Sequence, residues 1–183
     1  MNELVLTSVQ ALMNLIQSAK IDPEAFGLLY EKYSDQVLKF IYYRVSTFAE
    51  AEDLFGQTWE IIFKKIQYLE TDKELGFQKW MFTVARNLIT DKYRSAKEPP
   101  MELDENWSDE EPHPQRIHEQ KEEHLFLHEM MDHLAPLQRE ILGLHFFSDL
   151  KIKEIAEILD MEENTVSQYL SRSLKRLRTW MEK

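Results

Sequence analysis

The feature that most limits what this chain can fold into lies in its last fifty residues, Leu134 to Lys183. Apolar residues at Ile152, Ile155, Ala156 and Leu159 keep a helical period that stops at Asp160-Met161-Glu162 and resumes at Val166, Leu170, Leu174 and Leu177. Two amphipathic helices separated by so short a turn must cross at a steep angle, each burying its apolar stripe against the other. The second then projects one polar face outward. Arg172, Lys175, Arg176 and Arg178 crowd its second half, although the chain as a whole carries a formal charge of −11. A basic, outward-facing second helix in such a pair has the geometry that enters a DNA major groove.

Composition narrows the rest. Four glycines in 183 residues are too few for a turn-rich β protein, and the many Leu, Glu, Lys, Gln and Met residues favour helices, so the fold class expected is all-α. With no cysteine there are no disulfides and no cysteine-ligated zinc. No apolar run reaches the roughly twenty residues needed to span a bilayer, and the N-terminus lacks the basic start and cleavage site of a secretory signal. The expectation is a cytoplasmic protein without membrane insertion.

Between Glu98 and Glu123 ten acids face only Arg116 and Lys121, and Pro99, Pro100, Pro112 and Pro114 interrupt any helix. Such a segment cannot bury enough apolar surface to order itself and is read as a solvated, flexible acidic linker. The chain therefore divides into two small helical domains, 1–97 and 118–183, joined by the linker at 98–117.

Helix boundaries in the first domain are legible. Asp22-Pro23-Glu24 supplies an N-cap, a first-turn proline and an acid at the positive end of the helix dipole. Phe26, Leu29, Tyr30, Tyr33, Val37 and Ile41 follow on one face. Thr47 and Glu50 fit a capping box ahead of Ala51, Leu54, Phe55, Thr58, Ile62 and Ile66. A further helix starts near Phe77 and repeats apolar residues at Trp80, Met81, Val84, Ala85 and Leu88; the opposite face presents Lys79, Thr83, Arg86, Thr90, Arg94 and Lys97. Acids avoid that face in the sequence, which favours phosphate contact over an ordinary solvated surface. Trp80 belongs to the apolar stripe and is assigned to packing. Residues 3–19 form one more amphipathic helix. His124, His128 and His133 fall near helical spacing, but without an HExxH arrangement they are read as solvated or partly buried side chains, not as metal ligands. Neither a metal nor a cofactor is expected, and no P-loop, GxGxxG turn or GxSxG elbow is present.

The stretch Phe77-Gln78-Lys79-Trp80-Met81-Phe82-Thr83-Val84-Ala85-Arg86-Asn87-Leu88-Ile89-Thr90-Asp91-Lys92-Tyr93-Arg94 resembles the promoter-melting helix of bacterial sigma factors. Ala51-Glu52-Asp53-Leu54 is similar to the start of their polymerase-binding helix, and Leu134 to Arg178 to their C-terminal helix-turn-helix, down to Glu154-Ile155-Ala156 and Thr165-Val166. Two domains with none between them resemble the extracytoplasmic-function group of the sigma-70 family. The resemblance implies a non-enzymatic factor that binds core RNA polymerase, opens promoter DNA at the minus-ten element and reads the minus-thirty-five element, with an anti-sigma protein as a regulatory partner. On that alignment Asn164, Thr165, Ser167, Gln168, Arg172, Lys175 and Arg176 meet minus-thirty-five DNA. Gln78, Lys79, Arg86, Lys92 and Arg94 meet minus-ten DNA, and Asp53 and Gln57 meet polymerase.

The chain departs from the family pattern at three places. Gly56 stands where the polymerase-binding helix usually carries glutamine, Asp160 replaces the turn glycine before the recognition helix, and Ser167 and Tyr169 occupy positions usually basic. Two other readings fit part of the same residues: a dimeric helix-turn-helix regulator whose first domain senses a ligand, and a sigma-like interaction protein that never initiates transcription.

Overall fold

The computed structural model describes residues 2–70, 74–95, 121–148 and 150–182. The acidic linker expected at 98–117 and Lys97 lie outside them. The described residues form eight α-helices and no strand: α1 (Asn2–Ser18), α2 (Pro23–Tyr42), α3 (Phe48–Lys65), α4 (Glu74–Ser95), α5 (Lys121–Asp132), α6 (Pro136–Phe146), α7 (Ile152–Leu159) and α8 (Glu163–Met181). A single 3-10 turn, Ile66–Tyr68, closes α3.

The sequence signals for the helix starts are used as expected. Asp22 Oδ1 accepts from the Glu24 amide at 2.9 Å, with Pro23 in the first turn of α2. Thr47 Oγ1 accepts from the Glu50 amide at 3.2 Å, while Glu50 Oε2 accepts from the Ser46 and Thr47 amides at 3.0 and 3.3 Å. Each cap satisfies amides that no helical carbonyl can reach, and a cap of this kind is worth about 1 kcal/mol. The α4 helix begins at Glu74, three residues earlier than the apolar pattern marks.

Helices α1–α4 pack around Leu29, Tyr33, Val37, Ile41, Ile62, Phe77, Met81 and Ala85, all essentially inaccessible. Tyr30, expected on the same face of α2 as Leu29, is instead 39% exposed at the margin of the bundle. Helices α5–α8 close a second set around Ile141, Leu144, Ile155 and Val166. Burying each such side chain contributes about 1.5–3 kcal/mol.

In α8 the buried series is Val166, Leu170, Ser173 and Leu177. Leu174, assigned from the sequence to the apolar stripe, is 43% exposed. Ser173 takes its place because its hydroxyl donates to the Tyr169 carbonyl at 2.7 Å and so enters the core with its hydrogen bond made. Between α7 and α8 Asp160 adopts φ 55° and ψ 50°, the one non-glycine residue with positive φ among those described. The left-handed residue ends α7, and the Met161 amide returns to the Ala156 carbonyl at 2.9 Å, so the turn caps the helix that it terminates.

The two helical sets are in direct contact. The Tyr43 and Phe147 rings stack at 4.6 Å between centroids, 22° apart. Gly143 of α6 faces Phe40 of α2 so closely that a Cβ there would lie 3.4 Å from the Phe40 Cδ2. His128 Nε2 donates to the Val45 carbonyl at 2.9 Å, and α4 packs on α7. His128 is therefore a buried interdomain hydrogen-bond donor, more enclosed than the sequence reading placed it.

Candidate nucleic-acid interface

The outer face of α8 is set by its inner one. Because Val166, Leu170, Ser173 and Leu177 point into the core, Asn164, Thr165, Ser167, Gln168, Arg172, Lys175 and Arg176 must face outward, and all seven are exposed. Asn164, Thr165, Ser167 and Gln168 occupy the first two turns, the part of a docked helix that meets base edges. Arg172, Lys175 and Arg176 follow with no acidic partner among the described residues. With His133, Thr179 and Trp180 they line a hollow of ≈ 470 Å³. The Trp180 ring stands 4.8 Å from the His133 ring and 5.6 Å from that of Phe126, which holds the far end of α8 against α5. Glu162 and Glu163 sit at the helix start, where the dipole favours them. There they oppose phosphate, so binding by this helix falls to the cations further along.

On α4 the expected basic residues have different fates. Lys79 is exposed and Gln78 half-buried. Lys92 Nζ binds Glu50 Oε1 at 2.8 Å, and Arg94 pairs with Asp91 at 3.2 Å. Arg86 Nε binds Glu140 Oε1 at 3.1 Å, and the same oxygen accepts from Arg44 Nη1 at 3.4 Å. The expectation that acids avoid this face is corrected by these contacts: Glu50 and Glu140 are distant in sequence and reach α4 only through packing. Burial at Glu50 works against its charge, but the Lys92 ammonium and the Ser46 and Thr47 amides outweigh it and hold the carboxyl below its ordinary range. Burial likewise pulls Arg44 below its ordinary value, opposed by Glu140. Trp80 packs against the core as expected.

On α3 Asp53 and Gln57 are exposed one turn apart. Further round the helix lies an aromatic face, of which the sequence pattern had assigned Phe26, Tyr30 and Phe55 to the apolar side. Phe26 meets Phe63 at 4.9 Å and Trp59 at 6.0 Å, and Tyr30 meets Trp59 at 4.9 Å and Phe55 at 6.0 Å. Phe63, Leu28 and Tyr30 remain exposed, and the Trp59 Nε1 is buried without a hydrogen-bond partner among the described residues. At 100° per residue Gly56 falls between this stripe and the Asp53 stripe. Nothing lies within 4 Å of where its Cβ would be, so packing does not demand glycine there.

Sequence reasoning also missed Glu140. A signal existed: it is three residues after Leu137 and four before Leu144, on the core side of α6. An acid at such a position needs a cationic partner from another element.

A helix-turn-helix whose recognition face carries basic residues with no acidic partner among the described residues defines a DNA-binding class of protein. Residues 29–98 match the family model described as Sigma-70 region 2, and residues 126–177 that described as Sigma-70, region 4. The chain belongs to the sigma-70 family of RNA polymerase sigma factors, in its extracytoplasmic-function (ECF) group. It is 30% identical over 172 residues to the ECF RNA polymerase sigma factor BldN of Streptomyces coelicolor, covering 91% of this chain and 64% of that one. It is 27% identical over 172 residues to the ECF RNA polymerase sigma factor RpoE of Cereibacter sphaeroides, covering 93% of each. The chain thus spans just under two thirds of the first relative and nearly all of the second. Among solved structures, CnrH in complex with the cytosolic domain of CnrY is similar with a TM-score of 0.72 at 16% identity, covering 93% of this chain and 96% of that one. The sigma factor RpoE in complex with the anti-sigma factor NepR from Bartonella quintana follows with a TM-score of 0.65 at 19% identity, covering 86% and 96%. At those identities the structures speak to the fold.

Proposed function

We propose that this chain is an alternative sigma factor that binds core RNA polymerase and directs promoter-specific transcription initiation. The observation that carries the proposal is the outward face of α8: seven polar and basic residues, without acidic partners among the described residues, projected from a helix-turn-helix by a buried apolar stripe. Residues 118–183 read the minus-thirty-five element, with Asn164, Thr165, Ser167 and Gln168 at base edges and Arg172, Lys175 and Arg176 on phosphates. Residues 1–97 bind the polymerase clamp and melt the minus-ten element, with Gln78, Lys79, Arg86, Lys92 and Arg94 toward DNA and Asp53 and Gln57 toward polymerase. Residues 98–117, acidic in sequence, connect the two. The aromatic stripe shared by α2 and α3, with Tyr30 and Phe63 exposed and Phe55 half-buried, supports a protein-binding role for this side of the bundle, since an exposed apolar patch marks an interface.

The factor has no catalytic chemistry of its own and works in the cytoplasm; no described helix is long and apolar enough to cross a membrane. An anti-sigma protein is its regulatory partner, in keeping with the complex in which the Bartonella neighbour was solved. Run-off transcription with purified core polymerase and genomic templates tests the reading. Specific transcripts that require the chain support it, and polymerase binding without any transcript would turn it into the sigma-like interaction protein.

A further inference from the structure

Three cations in the hollow beside α8 stand together without acids. Arg178 of the same helix pairs with Glu182 at 3.4 Å, whereas Arg172, Lys175 and Arg176 have no acidic partner among the described residues. That is unexpected in a chain with 33 acids against 22 lysines and arginines. Asp132, the residue before His133, is held by Arg139 at 2.6 Å and does not line the hollow. Like charges one helical turn apart repel each other, so the cluster costs stability until an anion neutralises it. The Thr179 hydroxyl donates to the Lys175 carbonyl at 3.0 Å, so its proton is committed and the charged donors of the hollow are the three cations.

The hollow is not simply the edge of the base-reading face. At 100° per residue Lys175 lies about 20° from the line of Gln168, Arg172 about 40°, Arg176 about 80° and Trp180 about 120°. It therefore turns from that face toward the corner between α5 and α6, where the His133 and half-buried Trp180 rings, 4.8 Å apart, supply aromatic lining. A volume of ≈ 470 Å³ falls within the roughly 300–1,000 Å³ of small-molecule sites. Arg172 to Arg176 span about 6 Å of helix axis. A DNA strand spreads its charge at one phosphate per about 3.4 Å, whereas a polyphosphate concentrates several charges in one place. We propose that the hollow binds a nucleoside polyphosphate, its phosphates on Arg172, Lys175 and Arg176 and its base against the His133 and Trp180 rings. Guanidinium groups suit phosphate oxygens, and aromatic rings accept a base of any sequence. Because Arg172 and Lys175 also border the base-reading face, nucleotide and duplex DNA exclude each other.

Isothermal titration calorimetry of the full chain at constant ionic strength tests the site, with ATP, tripolyphosphate and adenosine as probes. ATP should bind one to one, tripolyphosphate about tenfold more weakly, and adenosine not measurably. Arg176→Ala should weaken ATP and tripolyphosphate alike, by about tenfold. Trp180→Leu should bring ATP down to the level of tripolyphosphate and leave tripolyphosphate itself unchanged. Circular dichroism checks each fold; if Trp180→Leu loosens α8, His133→Ala tests the aromatic lining instead. A 20-base-pair duplex should displace ATP. No ATP binding, or ATP binding untouched by Arg176→Ala, overturns the site. Tripolyphosphate binding as tightly as ATP overturns the base contact and reduces the hollow to a phosphate contact for DNA. Duplex and ATP bound together overturn the exclusion. Nucleotide binding is measured here without polymerase, so a chain that binds ATP as expected but supports no run-off transcript would sink the proposed function and leave the site standing.

Discussion

The turn of the helix-turn-helix offers a measurable stability test. Asp160 holds φ 55° with no side-chain hydrogen bond to a described residue to compensate. For an L-residue the left-handed conformation costs roughly 1–2 kcal/mol, a penalty glycine does not incur. Glycine in turn makes the unfolded chain more disordered, an opposing effect of about 0.4–1 kcal/mol. Asp160→Gly should therefore stabilise the protein by roughly 0.5–1 kcal/mol, the difference of those two effects. Charge must be separated from conformation, because Asp160 sits at the negative end of the α7 dipole and near the positive end of α8. Asp160→Asn removes the charge while keeping a residue that tolerates φ > 0, and Asp160→Ala removes it while keeping the strain. Urea unfolding followed by circular dichroism should give midpoints in the order Gly above Asn, and Asn above Ala, with unchanged slopes. In a thermal melt the glycine variant should gain about 2–4 °C per kcal/mol. If Gly lowers the midpoint or merely equals Ala, backbone strain at Asp160 is not a significant part of the energetics and the argument fails.

The remaining predictions concern charge and recognition. At His128 burial opposes protonation, but Asp132 at 3.5 Å and the Val45 carbonyl outweigh both it and the repulsion of Arg139, so its pKa is raised. Its contribution to stability is complete below about 6.5 and is lost as pH rises through the raised folded value. Asp132, lowered despite burial by His128 and Arg139, contributes above its ordinary 3.8 and loses that only as pH falls through its folded value. The urea midpoint should thus decline on the alkaline side of 6.5, and His128→Gln should flatten that decline; an unaltered slope in the variant would assign it elsewhere. Asp53→Lys reverses a charge on an exposed face and should abolish core polymerase binding with the helical spectrum intact; normal affinity at moderate salt contradicts the assignment. Gln168→Ala should lose about 1–3 kcal/mol at one upstream promoter position, whereas Arg172→Ala should weaken all promoters alike and lower the salt slope by about one. Footprinting of both across salt concentrations separates them, and an unchanged sequence preference in Gln168→Ala means the helix docks in a different register.

What the sequence by itself determined is whatever depends on neighbours within a few residues. The Asp22 and Thr47 caps, the helical periods of α2, α3, α7 and α8, and the outward set from Asn164 to Arg176 all follow from local spacing, because a helix repeats every 3.6 residues and a cap reaches three. The αL position of Asp160 was also foreseeable, since a helix must stop there before another starts three residues later. Periodicity alone could not separate the residues at the edge of a stripe: Tyr30 and Leu174 fall on the apolar side of their helices, yet are exposed at the margin of the packing. The tertiary structure alone decided where the charges went. Arg86 and Glu140 stand 54 positions apart and Arg44 and Glu140 96, beyond any local pattern. Their meeting depends on how α6 docks on α2 and α4, which is fixed by shape at Gly143, Phe40, Tyr43 and Phe147 and by the need to pair an acid that packing had already buried.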